Sequence, residues 1–130
     1  MLDSLASNIT TYFVEEGLYP GSQELEDPLL KARKILVTNA INELTAQKVV
    51  RQLFYLESLD SNQPIDLYIS TQGGWIDSAF TIVDAISVID ATVNTICIGG
   101  CYSAGLLIMV SATGERRAAE NALFSAHLVR

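Results

Sequence analysis

Hydrophobic and polar positions follow two different periods along most of this chain. Short apolar runs, typical of buried strands, occur at Lys34–Val37, 66–70 and 93–98. Between them lie two segments whose apolar residues recur every three to four positions, which predicts helices over 44–59 and 76–89. Strands that alternate with helices are typical of an α/β protein built from repeated β-α-β units around a mainly parallel sheet.

Further elements are predicted towards the C-terminal end. Residues 103–113 form an almost wholly apolar run that predicts a third helix, and Gly99-Gly100 before it is expected to interrupt the preceding strand. Residues 122–126 are predicted as a short strand that leads to His127. The inward faces predicted from periodicity are Ala46, Val49, Val50, Leu53, Phe54 and Leu56 on the first helix, and Ile76, Ala79, Phe80, Val83 and Ile86 on the second.

The chain before the first strand lacks this periodicity. Its stretch "YPGSQELEDP" mixes acidic and turn-forming residues, so residues 1–28 are predicted as an N-terminal arm or loop. Residues 29–130 are predicted as a single domain. With 130 residues, 49% of them apolar, the chain is long enough for an independent core.

Charge and cysteine content narrow the classes of function. The net charge is −7 and basic residues form no run longer than Arg116-Arg117, which argues against a nucleic-acid partner. Two cysteines and one histidine are too few ligands for a zinc site, so no metal or cofactor is expected. Cys97 and Cys101 are expected to be small buried residues. No secretory pattern and no spanning segment of ~20 apolar residues is present, which favours a cytoplasmic protein without a membrane partner.

The residues that could perform chemistry each follow a predicted strand. Gly73-Gly74, Ser103 and His127 come after three different strands, and the carboxyl ends of parallel strands meet at one edge of a sheet. A serine hydroxyl becomes a nucleophile when a base removes its proton, and a histidine is the usual base near neutral pH. We therefore expect Ser103 and His127 to form a nucleophile–base pair, with backbone N–H groups beside them to bind an oxyanion.

A structural role is possible for each of these residues. Ser103 occupies a position suited to a helix N-cap, His127 follows a short strand where histidines are often structural, and Gly73-Gly74 fits an ordinary turn. The nucleophile-elbow pattern GxSxG fails, because Cys101 stands where its first glycine belongs. From the residues alone, both interpretations remain open.

Three stretches of the sequence resemble the proteolytic subunits of Clp proteases (the ClpP family). "LYISTQGGWIDSAFTIVDAI" resembles the family's strand, glycine turn and helix, "VNTICIGGCYSAG" its nucleophile segment, and "RAAENALFSAHLVR" the strand that ends in the base histidine. The resemblance implies a ClpP-type, crotonase-like α/β fold and a serine endopeptidase that cleaves unfolded polypeptides. It makes Ser103 the nucleophile, His127 the base, and the N–H groups of Gly74 and Ala104 the oxyanion donors.

The resemblance also implies partners. The family forms seven-membered rings, single, stacked in pairs or mixed with paralogues, and receives substrate from an ATP-driven Clp unfoldase that itself binds the ATP. Departures from the family are Gln72 in place of a proline, Ala104 in place of a bulky residue, and a Ser-to-His spacing that is one residue shorter. The family's catalytic aspartate and ring-docking helix would follow Arg130, so the sequence is expected to lack the family's C-terminal part.

Asp66, Asp77 and Asp84 are the acids nearest by motif as candidates to replace the missing aspartate, although the last two are expected to face solvent on a helix. The main alternative function is a catalytically impaired ClpP-like subunit in a mixed ring. An acyl-CoA enzyme of the same fold class and a serine–lysine peptidase using Lys31, Lys34 or Lys48 fit the sequence less well.

Overall fold

The first element of the described part of the chain lies at the end of the predicted N-terminal arm. The computed structural model describes residues 27–127, so the rest of the arm and the last three residues lie outside the described part of the chain. The first helix, α1 (Pro28–Lys31), is a single turn whose N-terminus is capped by Asp27, which accepts a hydrogen bond of 2.7 Å from the N–H of Leu29. Its buried residue Leu30 anchors this turn to the core.

Strands and helices alternate along the rest of the described chain. They are β1 (Lys34–Val37), α2 (Glu43–Leu59), β2 (Ile65–Thr71), α3 (Ile76–Val88), β3 (Val93–Tyr102), α4 (Ala104–Val110), β4 (Arg116–Ala118) and β5 (Leu123–Ser125). The predicted strands β1 and β2 and the predicted helices α2 and α3 are confirmed to within one residue at each end.

All strand pairs in the described sheet are parallel. The strand order is β1-β2-β3-β4, and β5 pairs with β3 further along the same edge as β4. Strands β1, β2 and β3 lie side by side in chain order, and helices α2 and α3 connect them. Connections of this kind between parallel strands are almost always right-handed, which places both helices on the same face of the sheet. Burial alternates strictly along β2, as expected when helices cover only one face. The predicted α/β fold with a parallel sheet is confirmed.

The predicted inward faces of the two long helices are only partly correct. On α2, Ala46, Val49, Leu53 and Leu56 are buried as predicted, whereas Phe54 is 46% exposed. On α3 the buried residues are Ala79, Ile82, Ala85 and Ile86, so Ile82 and Ala85 were missed, and Phe80 is 48% exposed. Apolar residues occur on most sides of α3, so their spacing in the sequence does not show which side faces the core.

The prediction that Gly99-Gly100 interrupts the third strand is wrong. Gly99 takes a positive φ of 73° and bends β3, and the strand continues to Tyr102 because Gly100–Tyr102 pair with β5. The register between β2 and β3 shifts in the same region, between Ile69 and Thr71. A glycine inside a strand can thus redirect it without ending it.

The third helix is shorter than predicted and is followed by a strand that was missed. Helix α4 ends at Val110 instead of residue 113, because Thr113 and Gly114 turn back to β3, where the Thr113 hydroxyl accepts a hydrogen bond of 2.9 Å from the N–H of Val93. Strand β4 is exposed at all three positions, so it carries no hydrophobic alternation. No helix in residues 27–127 is long and apolar enough to cross a membrane.

Candidate active site

Ser103 lies in the sharp turn between β3 and α4. Its backbone has φ 54° and ψ −123°, a conformation that residues other than glycine rarely adopt. Its hydroxyl makes no capping hydrogen bond to α4, which removes the main support for a purely structural N-cap. The strand–turn–helix geometry of a nucleophile elbow is therefore present, although the GxSxG pattern is not. Strain of this kind is typical of functional positions.

Strand β5 holds the Ser103 turn beside the segment that carries His127. The N–H of Ser103 donates a hydrogen bond of 2.8 Å to the carbonyl oxygen of Ser125, and Tyr102 pairs with Ser125 in the parallel ladder. His127 follows Ser125 by two residues and lines the same cleft as Ser103. The predicted convergence of Ser103 and His127 on one site is thus what the fold produces.

This cleft, which we call the Ser103 cleft, has a volume of about 620 Å³. Apart from the backbone at Gly74 and the side chains of Ser103 and His127, the residues described along its walls are apolar. A largely apolar cleft of this size accommodates an apolar side chain and the peptide that carries it. Its walls are formed by Gly74, Ile76, Ser103, Ala104, Leu106, Leu107, Ala126 and His127.

Gly73 packs directly against the Ser103 turn. It has a φ of 100°, and a β-carbon built on it would lie 2.8 Å from the β-carbon of Ser103 and 2.8 Å from the carbonyl oxygen of Tyr102. Only glycine therefore allows the segment after β2 to approach the serine this closely. Gly73 positions the site without lining the cleft.

Gly74 lies in an extended segment that pairs with Ile41, so the interpretation as an ordinary turn is wrong. The carbonyl of Gly73 accepts a hydrogen bond of 2.9 Å from the N–H of Ile41, and the N–H of Trp75 donates one of 2.8 Å to the carbonyl of Ile41. This pairing leaves the N–H of Gly74 on the opposite side, since N–H directions alternate along an extended chain. Within residues 27–127 no acceptor is found for the N–H of Gly74 or of Ala104.

Sequence reasoning missed two residues that position this segment. The buried hydroxyl of Thr71 donates to the carbonyl of Asn39 at 2.8 Å and accepts from the N–H of Gly73 at 3.1 Å. Thr71 stands directly before Gln72-Gly73, and this adjacency was a usable signal. Ile41 positions the segment through backbone hydrogen bonds to Gly73 and Trp75, which are distant in the sequence, so no local pattern indicates this role.

The charged residues considered from the sequence lie away from the Ser103 cleft. Asp77 and Asp84 are exposed on α3, as predicted. Asp66 accepts a hydrogen bond of 3.0 Å from Asn94 at the amino end of β2, about 17 Å from Thr71 along the strand. Among the described residues, neither an acid nor a lysine lines the cleft. The serine–lysine alternative therefore has no support from the described geometry.

Cys101, two residues before Ser103, is not a competing nucleophile. Both cysteines are buried and free, as predicted. Burial raises the pKa of the Cys97 thiol, and burial together with the neighbouring Cys97 sulfur raises the pKa of Cys101 to about 12. Since the thiolate is the reactive form, neither thiol is activated near neutral pH.

A parallel α/β sheet, a serine on a strained strand-to-helix turn, and a histidine in the same cleft are together typical of serine hydrolases. Residues 21–127 match the Clp protease family, and the chain belongs to that family. The predicted resemblance is thereby confirmed.

Two relatives show the extent of the similarity. The chain is 37% identical over 122 residues to the ATP-dependent Clp protease proteolytic subunit 1 of Bacillus cereus, an alignment that covers 92% of this chain and 63% of that protein. A solved structure of a ClpP1 asparagine-to-aspartate mutant from Listeria monocytogenes is 35% identical, with a TM-score of 0.74, and the match covers 79% of this chain and 60% of that one. The chain thus spans about three-fifths of the length of these relatives.

Proposed function

We propose that this protein is a serine endopeptidase subunit of a Clp-type protease, located in the cytoplasm, that cleaves unfolded polypeptides delivered by an ATP-driven unfoldase. The observation that carries the proposal is the single cleft that holds both His127 and Ser103, whose hydroxyl caps no helix. The relative from Bacillus cereus is itself a proteolytic subunit of an ATP-dependent protease, which supports the same chemistry.

In the proposed reaction, the hydroxyl oxygen of Ser103 attacks the peptide carbonyl carbon while His127 accepts the hydroxyl proton. His127 then donates this proton to the leaving amine, and a water molecule hydrolyses the acyl-enzyme with His127 again as the base. The N–H groups of Gly74 and Ala104 stabilise the oxyanion of each tetrahedral intermediate. The side chains of Ile76 and Leu106, which line the cleft, favour an apolar substrate residue next to the cleaved bond.

One observation favours the alternative, a catalytically impaired subunit of a mixed ring. No carboxylate lines the described part of the Ser103 cleft, and a carboxylate ordinarily orients the catalytic histidine. Such a subunit would keep the fold and the ring contacts and would not acylate Ser103.

Labelling with a fluorophosphonate separates the two functions. We expect the probe to form one adduct, on Ser103, because an adjacent base activates only this hydroxyl. Intact-protein mass spectrometry followed by peptide mapping measures the site, and Ser103→Ala is expected to abolish the adduct. Ser87→Ala, which removes an exposed hydroxyl on α3, serves as the control and should label like the wild type.

Adducts of equal yield on the wild type and Ser103→Ala would contradict the assignment of the nucleophile. Absence of labelling on folded wild-type protein at millimolar probe would contradict the peptidase and favour the impaired subunit.

The proposal includes assembly into rings, either of identical subunits or with paralogues. Helices α2 and α3 expose apolar side chains that a monomer would leave in water, namely Leu44 (66% exposed), Phe54 (46%), Phe80 (48%) and Val88 (66%). Exposed aromatic residues of this kind are frequent anchors of subunit interfaces.

We expect light scattering to detect oligomers, and Phe54→Lys and Phe80→Lys to shift the distribution towards monomers, because a lysine cannot be buried at the interface without losing hydration. Gln47→Lys adds the same charge at an exposed polar position of α2 and should leave the mass distribution unchanged. A monomeric wild type at high concentration would contradict the ring.

A further inference from the structure

Trp75 forms a ridge between two clefts of the described surface. Its neighbours Gly74 and Ile76 line the Ser103 cleft, whereas Trp75 itself lines a second cleft of about 470 Å³. Trp75 is 69% exposed, although tryptophan is highly buried on average in proteins. We call this second space the Trp75 cleft, and its walls are Asn42, Glu43, Trp75, Asp77, Ser78 and Thr81.

The Trp75 cleft is acidic. Glu43 lies in the first turn of α2 and Asp77 in the first turn of α3, and both side chains are exposed. Among residues 27–127, no basic side chain lines this cleft. Acidic residues at helix N-termini are common for reasons of helix stability, so the carboxylates alone would not indicate a ligand. Trp75, exposed on the wall of the same cleft, is an additional feature that helix stability does not explain.

We propose that the Trp75 cleft is a specificity subsite that binds an arginine or lysine side chain of the polypeptide substrate. The inference rests on the proposed peptidase function and adds a preference for a basic substrate side chain, which the apolar Ser103 cleft does not provide. A basic side chain has an aliphatic stem that packs on the indole, a cation that is attracted to the ring face, and a charge complementary to Glu43 and Asp77.

The geometry of an extended peptide places this side chain next to the cleaved bond. Trp75 itself has extended backbone, with φ −76° and ψ 127°, and Gly74 before it pairs with Ile41, whereas α3 begins at Ile76. Successive side chains of an extended substrate lying along this backbone point to opposite sides. When one substrate side chain enters the Ser103 cleft, its neighbour in sequence therefore faces the Trp75 cleft. Arginine is favoured over lysine, because its planar guanidinium stacks on an aromatic ring.

Trp75 is the only tryptophan in the chain, so its fluorescence reports directly on this cleft. The experiment uses Ser103→Ala protein, which prevents turnover, and two peptides that differ only in arginine or its neutral isostere citrulline beside an apolar residue. We expect both peptides to change the emission, and the arginine peptide to bind about tenfold more tightly. Iodide and acrylamide quenching of the free protein should show an accessible indole.

Matched variants test the residues of the cleft. Glu43→Gln together with Asp77→Asn is expected to reduce the arginine preference to less than about twofold. Asp84→Asn removes one charge from an exposed position further along α3 and should preserve it. For Trp75→Ala, binding is followed by the polarisation of labelled peptides, and we expect the arginine peptide to lose most of its advantage.

Equal affinity for the arginine and citrulline peptides, or a preference that survives the Glu43/Asp77 double variant, would overturn the subsite. An indole shielded from both quenchers in the assembled protein would also overturn it and would assign Trp75 to a contact between subunits. A wild type that discriminates the peptides without cleaving them would support the subsite and contradict the peptidase, so the two proposals fail separately.

Discussion

Peptide cleavage is expected to fall by the same factor, about 10⁴ to 10⁶, in Ser103→Ala, in His127→Ala and in the variant that carries both changes. The proposed role of His127 is to move the proton of the Ser103 hydroxyl, and this role disappears when the hydroxyl is absent. Because the two residues act as one unit, removing both is expected to lower the rate no more than removing either one. Residual cleavage above the uncatalysed rate would come from substrate binding and the oxyanion donors.

The measurement is the rate constant kcat for an apolar peptide, with the melting temperature of each variant recorded alongside it. The rate of fluorophosphonate labelling gives a second comparison for His127→Ala. Ser87→Ala should retain the wild-type kcat. If the loss of kcat in the double variant equalled the product of the two single losses, Ser103 and His127 would act independently. Wild-type cleavage by folded His127→Ala would exclude His127 as the base.

Removing a single N–H at the proposed oxyanion site is expected to lower kcat by about 10²–10³-fold while KM changes little, because the donor acts where charge develops during the reaction. Replacing Ala104 by lactic acid, or Gly74 by glycolic acid, converts the amide to an ester, which deletes the N–H without adding a side chain. The ester also makes the preceding carbonyl, that of Ser103 or Gly73, a weaker hydrogen-bond acceptor. Replacing Ala40 by lactic acid is the matched control: the residue is exposed and lies outside the Ser103 cleft, and its ester likewise weakens one carbonyl that holds this segment, that of Asn39, but removes no proposed donor.

The side-chain substitution Gly74→Ala cannot test the donor. Gly74 has a φ of 152°, and a β-carbon there would overlap the carbonyl oxygen of Ile41. The change would break the pairing with Ile41 and lower stability and activity together, whether or not the N–H binds an oxyanion. Unchanged kcat in both ester variants would contradict the oxyanion assignment while leaving Ser103 as the nucleophile.

Local sequence patterns were sufficient for most elements that carry a regular buried face. Helix α2 and strand β2 have apolar residues at the period of their own geometry, and both were predicted to within one residue. Strand β4 has none, because all its residues are exposed, and its place in the sheet comes from pairing with β3. The third strand was predicted too short because Gly99-Gly100 was expected to interrupt it, whereas pairing with β5 extends it to Tyr102.

Some features of the candidate site were likewise predictable from the sequence, and others were not. The order of glycines, serine and histidine after successive strands is a property of the sequence, and parallel strands bring such residues to one edge of the sheet. The strained backbone of Ser103 and the exposed ridge at Trp75 were not predictable from spacing. Each depends on how segments distant in the chain pack against that residue.

The chain's own pattern of residues is thus enough to specify an α/β protein with Ser103 and His127 at the carboxyl ends of its strands, because periodicity and element order are local properties. Only the folded arrangement decides which backbone groups remain unpaired. Ile41 takes the hydrogen bonds of Gly73 and Trp75 and leaves the N–H of Gly74 on the other side, and Ser125 orients the turn at Ser103. These contacts join backbone atoms of segments that are distant in the sequence. Almost every residue type has the same backbone groups, so the sequence does not show which of them will pair.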